Sequence, residues 1–407
     1  MRTRFLPTGE GHRVTTLELL FDLVFVYGIT AVSGSVAHRL SLVGLAEGLV
    51  LMALIWFGWS AYAWLGNQAR ADEGPLRISM FLAMAGYFVV ALTIHEAFDD
   101  LPGGLPGPVV FVVGYAVIRL AHLVVYWVAA ADDAGLRHTI QLALATTLVT
   151  LVFLFVGAFV APGPRLAVWA VGVLIDYVGV YLGAAHGWRV LAPGHFAERH
   201  GLVIIIAIGE SVVSVAVAVS HHAIDWPLLV GALLGIALAI TLWRTYFNAI
   251  APAVEQALRA VTGDDRTRMA RDVFTYLHLP PVIGIVGLAV GLREMLDGVA
   301  RHGPWASAAV AGVAVATLYG GAALYVLSLS ALRWRVRGRP SIPRLVLAGW
   351  FVVAGTMLWL TRPMPLLAVA VVTASFLGLV SWDSVRYGRV TRSMRLGEQP
   401  RPGQPSR

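Results

Sequence analysis

Two carboxylates share one face of an otherwise apolar segment near the start of the chain. In ELLFDLVFV, residues 18–26, Glu18 and Asp22 are four positions apart, so in a helix they point in the same direction. A carboxylate in an apolar helix can hold a cation, exchange a proton or pair with an arginine. Glu18 also has a purely structural interpretation, because an acid in the first turn after Thr15 or Thr16 stabilises the helix dipole.

Three further charged residues interrupt apolar segments. Glu210 lies in IAIGESVVS, Asp176 in LIDYVGVYL and Arg119 in YAVIRLAHLVVYW. A charge at the bilayer centre costs at least about 2.5–3.5 kcal/mol, so such groups pair or line a hydrated cavity. With a rise of about 1.5 Å per residue, both acids lie at the depth of Arg119 and are its predicted partners. Gly209 and Ser211, which flank Glu210, predict close helix approach there.

A second arginine and one histidine extend this set. Arg244 lies near the end of the predicted eighth helix, at the depth of Glu18 and Asp22, and we expect these three side chains to meet. His122 follows Arg119 by three positions and shares its helix face. It is either a proton relay that works near neutral pH or a hydrogen-bonded interior histidine.

A double proline marks a special backbone site. In YLHLPPVIG, His278 is followed by Pro280 and Pro281. Two prolines remove two backbone donors, which predicts a broken helix whose free carbonyls line a cavity. The alternative is that the stretch from Arg271 is an interfacial turn and that the membrane span begins at the prolines.

The elements that position these residues are membrane helices. Of the 407 residues 58% are hydrophobic and 13% are charged, whereas a soluble domain is about a quarter charged. Apolar runs of about 20 residues are long enough to span a bilayer. We expect an all-α transmembrane bundle of twelve helices with four regions: a segment 1–15, a first half 16–190, a second half 191–385 and a disordered tail 386–407. The predicted spans are 16–37, 45–66, 76–98, 108–130, 138–161, 165–184, 200–220, 226–247, 271–292, 304–331, 341–361 and 364–384.

The arginines predict the orientation. The chain has no Lys and no Cys, which excludes thiol chemistry and disulfides. Sorted by the predicted spans, 23 Arg lie on the side of the termini and 5 on the other. This asymmetry predicts a multi-pass membrane protein with both termini in the cytoplasm. It also explains the pI near 10.0 without nucleic-acid binding. RWRVRGRP and the tail are expected to contact anionic lipid headgroups, and oligomerisation stays open.

Two aromatic segments raise the question of an internal repeat. WSAY at 59–62 and WRTY at 243–246 end the second and eighth predicted helices, and Asn67 and Asn248 follow them. One interpretation is two parallel six-helix repeats, as in some transporters. The other is the aromatic belt that any bundle places at the membrane interface.

Several segments resemble a known family. VTTLELLFDLVFVYGI, RLAHLVVYW, ERHGLVIIIAIGESVVSVAV and YLHLPPVIGIVGLAVGLRE are similar, in this order, to the bacterial low temperature requirement A family. The most specific motifs are E-x-x-F-D-L-V-F-V, with Glu18, Phe21 and Asp22, and R-H-G-L followed by G-E-S, with Arg199 and Glu210. The resemblance covers about residue 13 to at least 335. It implies an integral membrane protein and brings no established substrate or catalytic residue.

Three functions remain open. The leading hypothesis is a transporter or an ion- or proton-conducting protein that uses the intramembrane carboxylates and Arg119 on a small ion or solute. The alternatives are a membrane scaffold for growth in the cold, in which buried ion pairs only specify packing, and a membrane enzyme acting on lipids. The chain has no G-x-S-x-G, H-E-x-x-H or aspartate-rich motif, so we expect no enzyme activity and no cofactor.

Overall fold

The computed structural model describes residues 9, 13–130, 133–183, 188–220, 222–303, 312–361 and 364–395. Within these ranges the chain is helical and has no β-strand, and twelve helical segments are long and apolar enough to cross a membrane. The prediction of an all-α membrane bundle is confirmed. The helices are α1 (Thr16–His38), α2 (Leu42–Gln68), α3 (Gly74–Thr93), α4 (Gly107–Ala129), α5 (Ala134–Ala158), α6 (Pro162–Gly183), α7 (Pro193–Val219), α8 (Trp226–Phe247), α9 (Ala251–Ala260), α10 (Gly263–Ala270), α11 (Leu279–His302), α12 (Gly312–Arg337), α13 (Ile342–Thr361) and α14 (Pro365–Arg395).

Side-chain caps fix where helices begin. At the start of α1 the backbone N–H of Glu18 donates to Thr15 Oγ1 (3.2 Å), and the Glu18 carboxylate accepts the backbone N–H of Thr15 (2.9 Å). This capping box satisfies two donors that a helix start leaves open. Asp225 caps α8 in the same manner through the N–H of Leu228 (2.9 Å). Glu18 therefore has the structural role considered above in addition to its other contacts.

The two predicted halves meet along their first helices. α1 and α7 run side by side in the same direction, because Glu18 contacts Arg199 at one level and Thr30 contacts Glu210 further along. Asn67 and Asn248 have different roles. The Asn67 side chain bonds the backbone just before α7, whereas Asn248 caps the end of α8 through its backbone N–H. The parallel repeat stays a prediction.

The double proline lies in a helix that changes register. Residues 271–276 form a buried π-helical segment between α10 and α11, with Pro280 and Pro281 in the first turn of α11. In a π register the carbonyl of Thr275 would accept from residue 280, which is a proline and has no N–H. The indole N–H of Trp56 donates to this carbonyl instead (2.8 Å). The stretch is thus not an interfacial turn, and this freed carbonyl bonds α2 instead of lining a cavity.

The last helix runs beyond its predicted end. α14 continues past residue 385, where the tail was predicted to begin, and reaches Arg395. Residues 396–407 of the predicted disordered tail lie outside the described residues.

α11 and α12 cross at glycines. A Cβ added to Gly321 would lie 2.6 Å from the backbone nitrogen of Leu288, and one added to Gly284 would lie 2.8 Å from that of Tyr325. These backbones therefore touch, as small residues permit in lipid, where dispersion and packing drive helix association. The neighbouring Gly320 faces open space.

Gly321→Ala and Gly320→Ala form a matched test of this crossing. We expect Gly321→Ala to lower the free energy of unfolding by about 1–3 kcal/mol, because a methyl group forces two backbones apart. Gly320→Ala should leave stability within about 0.5 kcal/mol. Thermal or SDS-induced unfolding in mixed micelles, followed by circular dichroism, measures both. Equal stability of the two variants would contradict the close crossing.

Candidate functional site

The two carboxylates of α1 bind one arginine of α7. Arg199 Nη1 donates to Glu18 Oε1 (3.0 Å), and Arg199 Nη2 donates to Asp22 Oδ1 (2.6 Å). His195, one turn before Arg199, places Nε2 3.1 Å from Glu18 Oε2. All four residues are at most 2% exposed. We call Glu18, Asp22, His195 and Arg199 the acidic cluster.

Aromatic side chains enclose the acidic cluster. Trp59 of α2 donates its indole N–H to Asp22 Oδ1 (2.8 Å), and its ring lies 5.5 Å from the Arg199 guanidinium carbon. Phe21 flanks the same guanidinium at 5.9 Å. Rings at these distances attract the cation and exclude water. Asp22 Oδ2 has no hydrogen-bond partner among the described residues and is therefore the oxygen of the cluster that can bind a further proton or cation.

The cluster contains two acids but only one permanently charged base. Two carboxylates face one guanidinium, so one negative charge remains unless a proton resides on His195 or on a carboxyl group. An unbalanced charge buried in a low-dielectric medium is costly. The arrangement therefore favours the uptake of one proton or one cation.

Two more histidines continue the network toward α8 and the π-helical segment. The His200 ring lies 5.0 Å from that of Trp59 and 5.6 Å from that of His278. His278 Nδ1 donates to the carbonyl of Val273 (2.7 Å), so in the neutral ring Nε2 accepts from the hydroxyl of Tyr246 (2.8 Å). The predicted site residue His278 is thus held at both nitrogens and borders the acidic cluster through His200.

A wide cavity adjoins the cluster at the face of the bundle where α1 and α7 begin. It measures about 620 Å³ and is lined by Arg13, His195, Glu198, Tyr246 and Arg259, among others. We call it the vestibule. His195 and Tyr246 each line the vestibule on one side and contact the buried network on the other. They connect the cluster with the space outside it.

Glu210 forms a separate polar site further along the same two helices. Thr30 Oγ1 of α1 donates to Glu210 Oε2 (2.6 Å), and Ser214 Oγ donates to Oε1 (3.3 Å). The predicted pairing of Glu210 with Arg119 is wrong, because α7 turns this residue toward α1. Gly209 faces open space and Ser211 Oγ has no partner among the described residues, so the predicted close approach at Gly209 is also absent.

Arg119 pairs with Asp176, as predicted. Arg119 Nη2 lies 3.0 Å from Asp176 Oδ2 and donates to Thr147 Oγ1 (2.7 Å), while Thr146 Oγ1 donates to Asp176 Oδ1 (3.2 Å). These contacts join α4, α5 and α6, and the pair is electrically balanced. His122 lies on the same face of α4 and packs against Tyr62 and Tyr126.

Arg244 is not the partner of the α1 carboxylates. It extends from α8 toward α14 and donates to Ser384 Oγ (3.1 Å) at an exposed position. The partner is Arg199, which the sequence interpretation placed in a loop because it began the seventh span at residue 200 instead of at Pro193. A proline in the first turn of a helix and the four-residue spacing of His195 and Arg199 are the signals that indicate the earlier start.

No three His, Asp or Glu residues in the described part of the chain are grouped as a metal site. The carboxylates at the site are instead bound by arginine, histidine, tryptophan and hydroxyl groups.

Comparison with known proteins identifies the family. The family model described as "Bacterial low temperature requirement A protein (LtrA)" matches residues 13–378. The chain belongs to the LtrA family. It is also similar to an uncharacterized protein of Rhizobium meliloti (strain 1021), with 28% identity over 295 residues that cover 67% of each chain. No solved structure matches it. The region shared with the LtrA model includes the acidic cluster, Glu210 and the Arg119–Asp176 pair.

Arg199→Gln and Arg244→Gln form a matched test of the acidic cluster. Arg199→Gln leaves two buried carboxylates without their cation, so we expect the free energy of unfolding to fall by about 3–5 kcal/mol. Arg244→Gln changes an exposed contact and should shift it by no more than about 0.5 kcal/mol. SDS-induced unfolding in mixed micelles distinguishes the two. A larger loss of stability in Arg244→Gln than in Arg199→Gln would refute the acidic cluster.

A double-mutant cycle tests the Arg119–Asp176 pair. Arg119→Gln and Asp176→Asn each strand one buried charge, so the double variant should lose less stability than the sum of the single losses, by about 0.5–3 kcal/mol. The exposed pair Arg301–Asp297 is the control, with an expected coupling below about 0.5 kcal/mol. Additive losses at Arg119 and Asp176 would argue against a direct ion pair.

Proposed function

We propose that this LtrA protein is a transporter of the bacterial plasma membrane that moves a proton or a small monovalent cation along the interface of α1 and α7. In this proposal the vestibule faces the cytoplasm, the side on which the arginine distribution predicts both termini. The acidic cluster is the inner binding site and Glu210 is the outer one.

The observation that carries the proposal is the presence of carboxylates at two levels of one helix interface. Thr30 contacts Glu210 and therefore marks the outer level on α1. It lies 8 residues after Asp22 and 12 after Glu18, so the two levels are about 12–18 Å apart along the helix. Ionisable groups inside the membrane are costly, and where they persist they commonly mark ion pathways or proton relays. A purely structural pair would be balanced, as Arg119 and Asp176 are. The acidic cluster has an excess acid.

The vestibule gives a proton or cation access to the acidic cluster. His195 touches Glu18 and also lines the open cavity. A proton that arrives from the vestibule therefore meets a histidine before it meets a carboxylate, and an imidazole ring can accept a proton at one nitrogen and donate one from the other. Protonation there neutralises the excess charge without displacing Arg199.

The segment between the two sites favours a transporter over an open channel. Between the levels of His200 and Glu210 the buried residues of α1 and α7 are apolar or glycine, among them Phe25, Ile29, Val203, Ile204 and Ala207. An ion cannot be hydrated among these side chains. Passage from the acidic cluster to Glu210 thus requires a rearrangement of α1 against α7, as in alternating access.

Flux through reconstituted protein tests the proposal. Liposomes with a pH-sensitive dye inside, an imposed potential and defined Na⁺ or K⁺ gradients measure proton and cation movement. We expect flux from the wild type, and a fall to the level of empty liposomes for Asp22→Asn and Glu210→Gln, because each change removes a charge that the ion must meet. Glu73→Gln, an exposed acid paired with Arg70, should keep wild-type flux.

Two results would overturn the proposal. One is a wild type without flux whose Asp22→Asn variant is only less stable, which would favour the scaffold function. The other is equal flux in the wild type and both carboxamide variants.

A further inference from the structure

A second cavity lies away from the α1–α7 interface, among α2, α4, α5, α6 and the π-helical segment. It measures about 40 Å³, and its polar lining consists of Ser60, Arg119, His122, Arg271 and Thr275, with Trp64 and Trp188 among its walls. We call it the arginine cavity. Arg119 and Asp176 were described above as a balanced pair, but only part of the Arg119 guanidinium takes part in that pairing.

Several buried donors at this cavity are available to a ligand. Arg119 uses Nη2 for Thr147 and Asp176, while Nε and Nη1 have no hydrogen-bond partner in the described part of the chain. The two ring nitrogens of His122 likewise lack a well-formed hydrogen bond there. Both residues are 3% exposed. Buried donors are rarely left unpaired, since each costs its full desolvation energy.

The hydroxyl of Thr275 adds another donor. It accepts from the indole N–H of Trp64 (2.8 Å) and from Ser60 Oγ (3.3 Å). With both lone pairs occupied, its own proton is left to donate.

The charges around the cavity favour an anion. Arg271, the second lining arginine, binds Asp272 (2.8 Å), and Arg335 binds the same carboxylate (3.0 Å). The lining itself contains two guanidinium groups, those of Arg119 and Arg271, and neither carboxylate. Arg119 is almost fully buried, so the field of its guanidinium group at the cavity is screened less than in water.

The size of the cavity restricts the ligand. A water molecule needs about 10–15 Å³ by this measure, and pockets for drug-sized ligands measure about 300–1,000 Å³. The arginine cavity at about 40 Å³ therefore holds one small ion and excludes a larger organic acid. We propose that the arginine cavity binds a small monovalent anion of halide size through Arg119, His122 and Thr275. This inference is independent of the proposed transport along α1 and α7.

The test uses iodide as the probe and the purified full-length chain in detergent. Iodide quenches tryptophan fluorescence, and Trp64 and Trp188 lie at the cavity. Sodium iodide is titrated against sodium gluconate at constant ionic strength. The wild type should show a saturable quenching component in addition to the linear collisional one, and excess chloride should displace it.

Three variants test whether the saturable quenching component arises from iodide bound in the arginine cavity. Ala143→Leu fills the cavity without changing a charge and should abolish saturation. Arg271→Gln should weaken the apparent affinity about tenfold through the lost positive charge. The double variant Arg119→Gln/Asp176→Asn removes both members of the buried pair, so no carboxylate is stranded, and should also abolish saturation. Arg70→Gln, which changes a half-buried arginine in the loop after α2 that does not line the cavity, should behave as the wild type.

Each outcome decides the proposal once unfolding temperatures in gluconate show that the variants are folded. Saturation in the wild type and Arg70→Gln, with its loss in Ala143→Leu and in the double variant, supports the anion site. Linear quenching in the wild type overturns it and leaves the cavity to water. Unchanged saturation in Ala143→Leu overturns it as well, because the iodide then binds elsewhere.

Discussion

The low dielectric constant of the membrane interior governs the polar architecture, because it favours partners inside the bundle for ionised side chains such as those of Arg199 and Arg119. Arg199 shows the consequence most clearly. Its guanidinium binds Glu18 and Asp22 of α1 at once, and the rings of Trp59 and Phe21 shield it from water. These contacts bring the first helix of one predicted half against the first helix of the other. The same constraint explains why α1, α2 and α7 meet at a polar centre in an otherwise apolar chain.

The buried charges fall into three classes with different consequences. Arg119 and Asp176 balance each other, so their attraction offsets their desolvation and their pairing can serve packing alone. Glu18 and Asp22 exceed Arg199 by one charge, and their surroundings favour a further proton or cation. Glu210 has hydroxyl partners in Thr30 and Ser214. A bundle built only for rigidity gains nothing from an unbalanced cluster beside an open vestibule, and this contrast is the physical basis of the proposed transport along α1 and α7.

Two prolines and one tryptophan together determine the backbone hydrogen bonding in the ninth membrane span, Gly263–His302. The prolines at 280 and 281 remove donors, the backbone changes to a π register before them, and Trp56 supplies the donor that the Thr275 carbonyl lacks. The same segment contributes Arg271 and Thr275 to the arginine cavity and the Val273 carbonyl that orients His278. One irregular turn thus links the two polar regions of the bundle.

The sequence by itself determined the all-helical fold and the membrane setting and predicted the relative depth of Arg119, Asp176 and Glu210, because length, hydropathy and a fixed rise per residue are one-dimensional properties. Depth was enough to predict Arg119 with Asp176, whose helices α4 and α6 both pack against α5 and α2. It was not enough for Arg244 or Glu210, since two residues at one level meet only if their helices are neighbours and face each other. Only the tertiary structure decided that Arg199 turns to α1 and that Arg244 turns to α14. Helix rotation and neighbour choice depend on packing of the whole bundle, which no local pattern encodes.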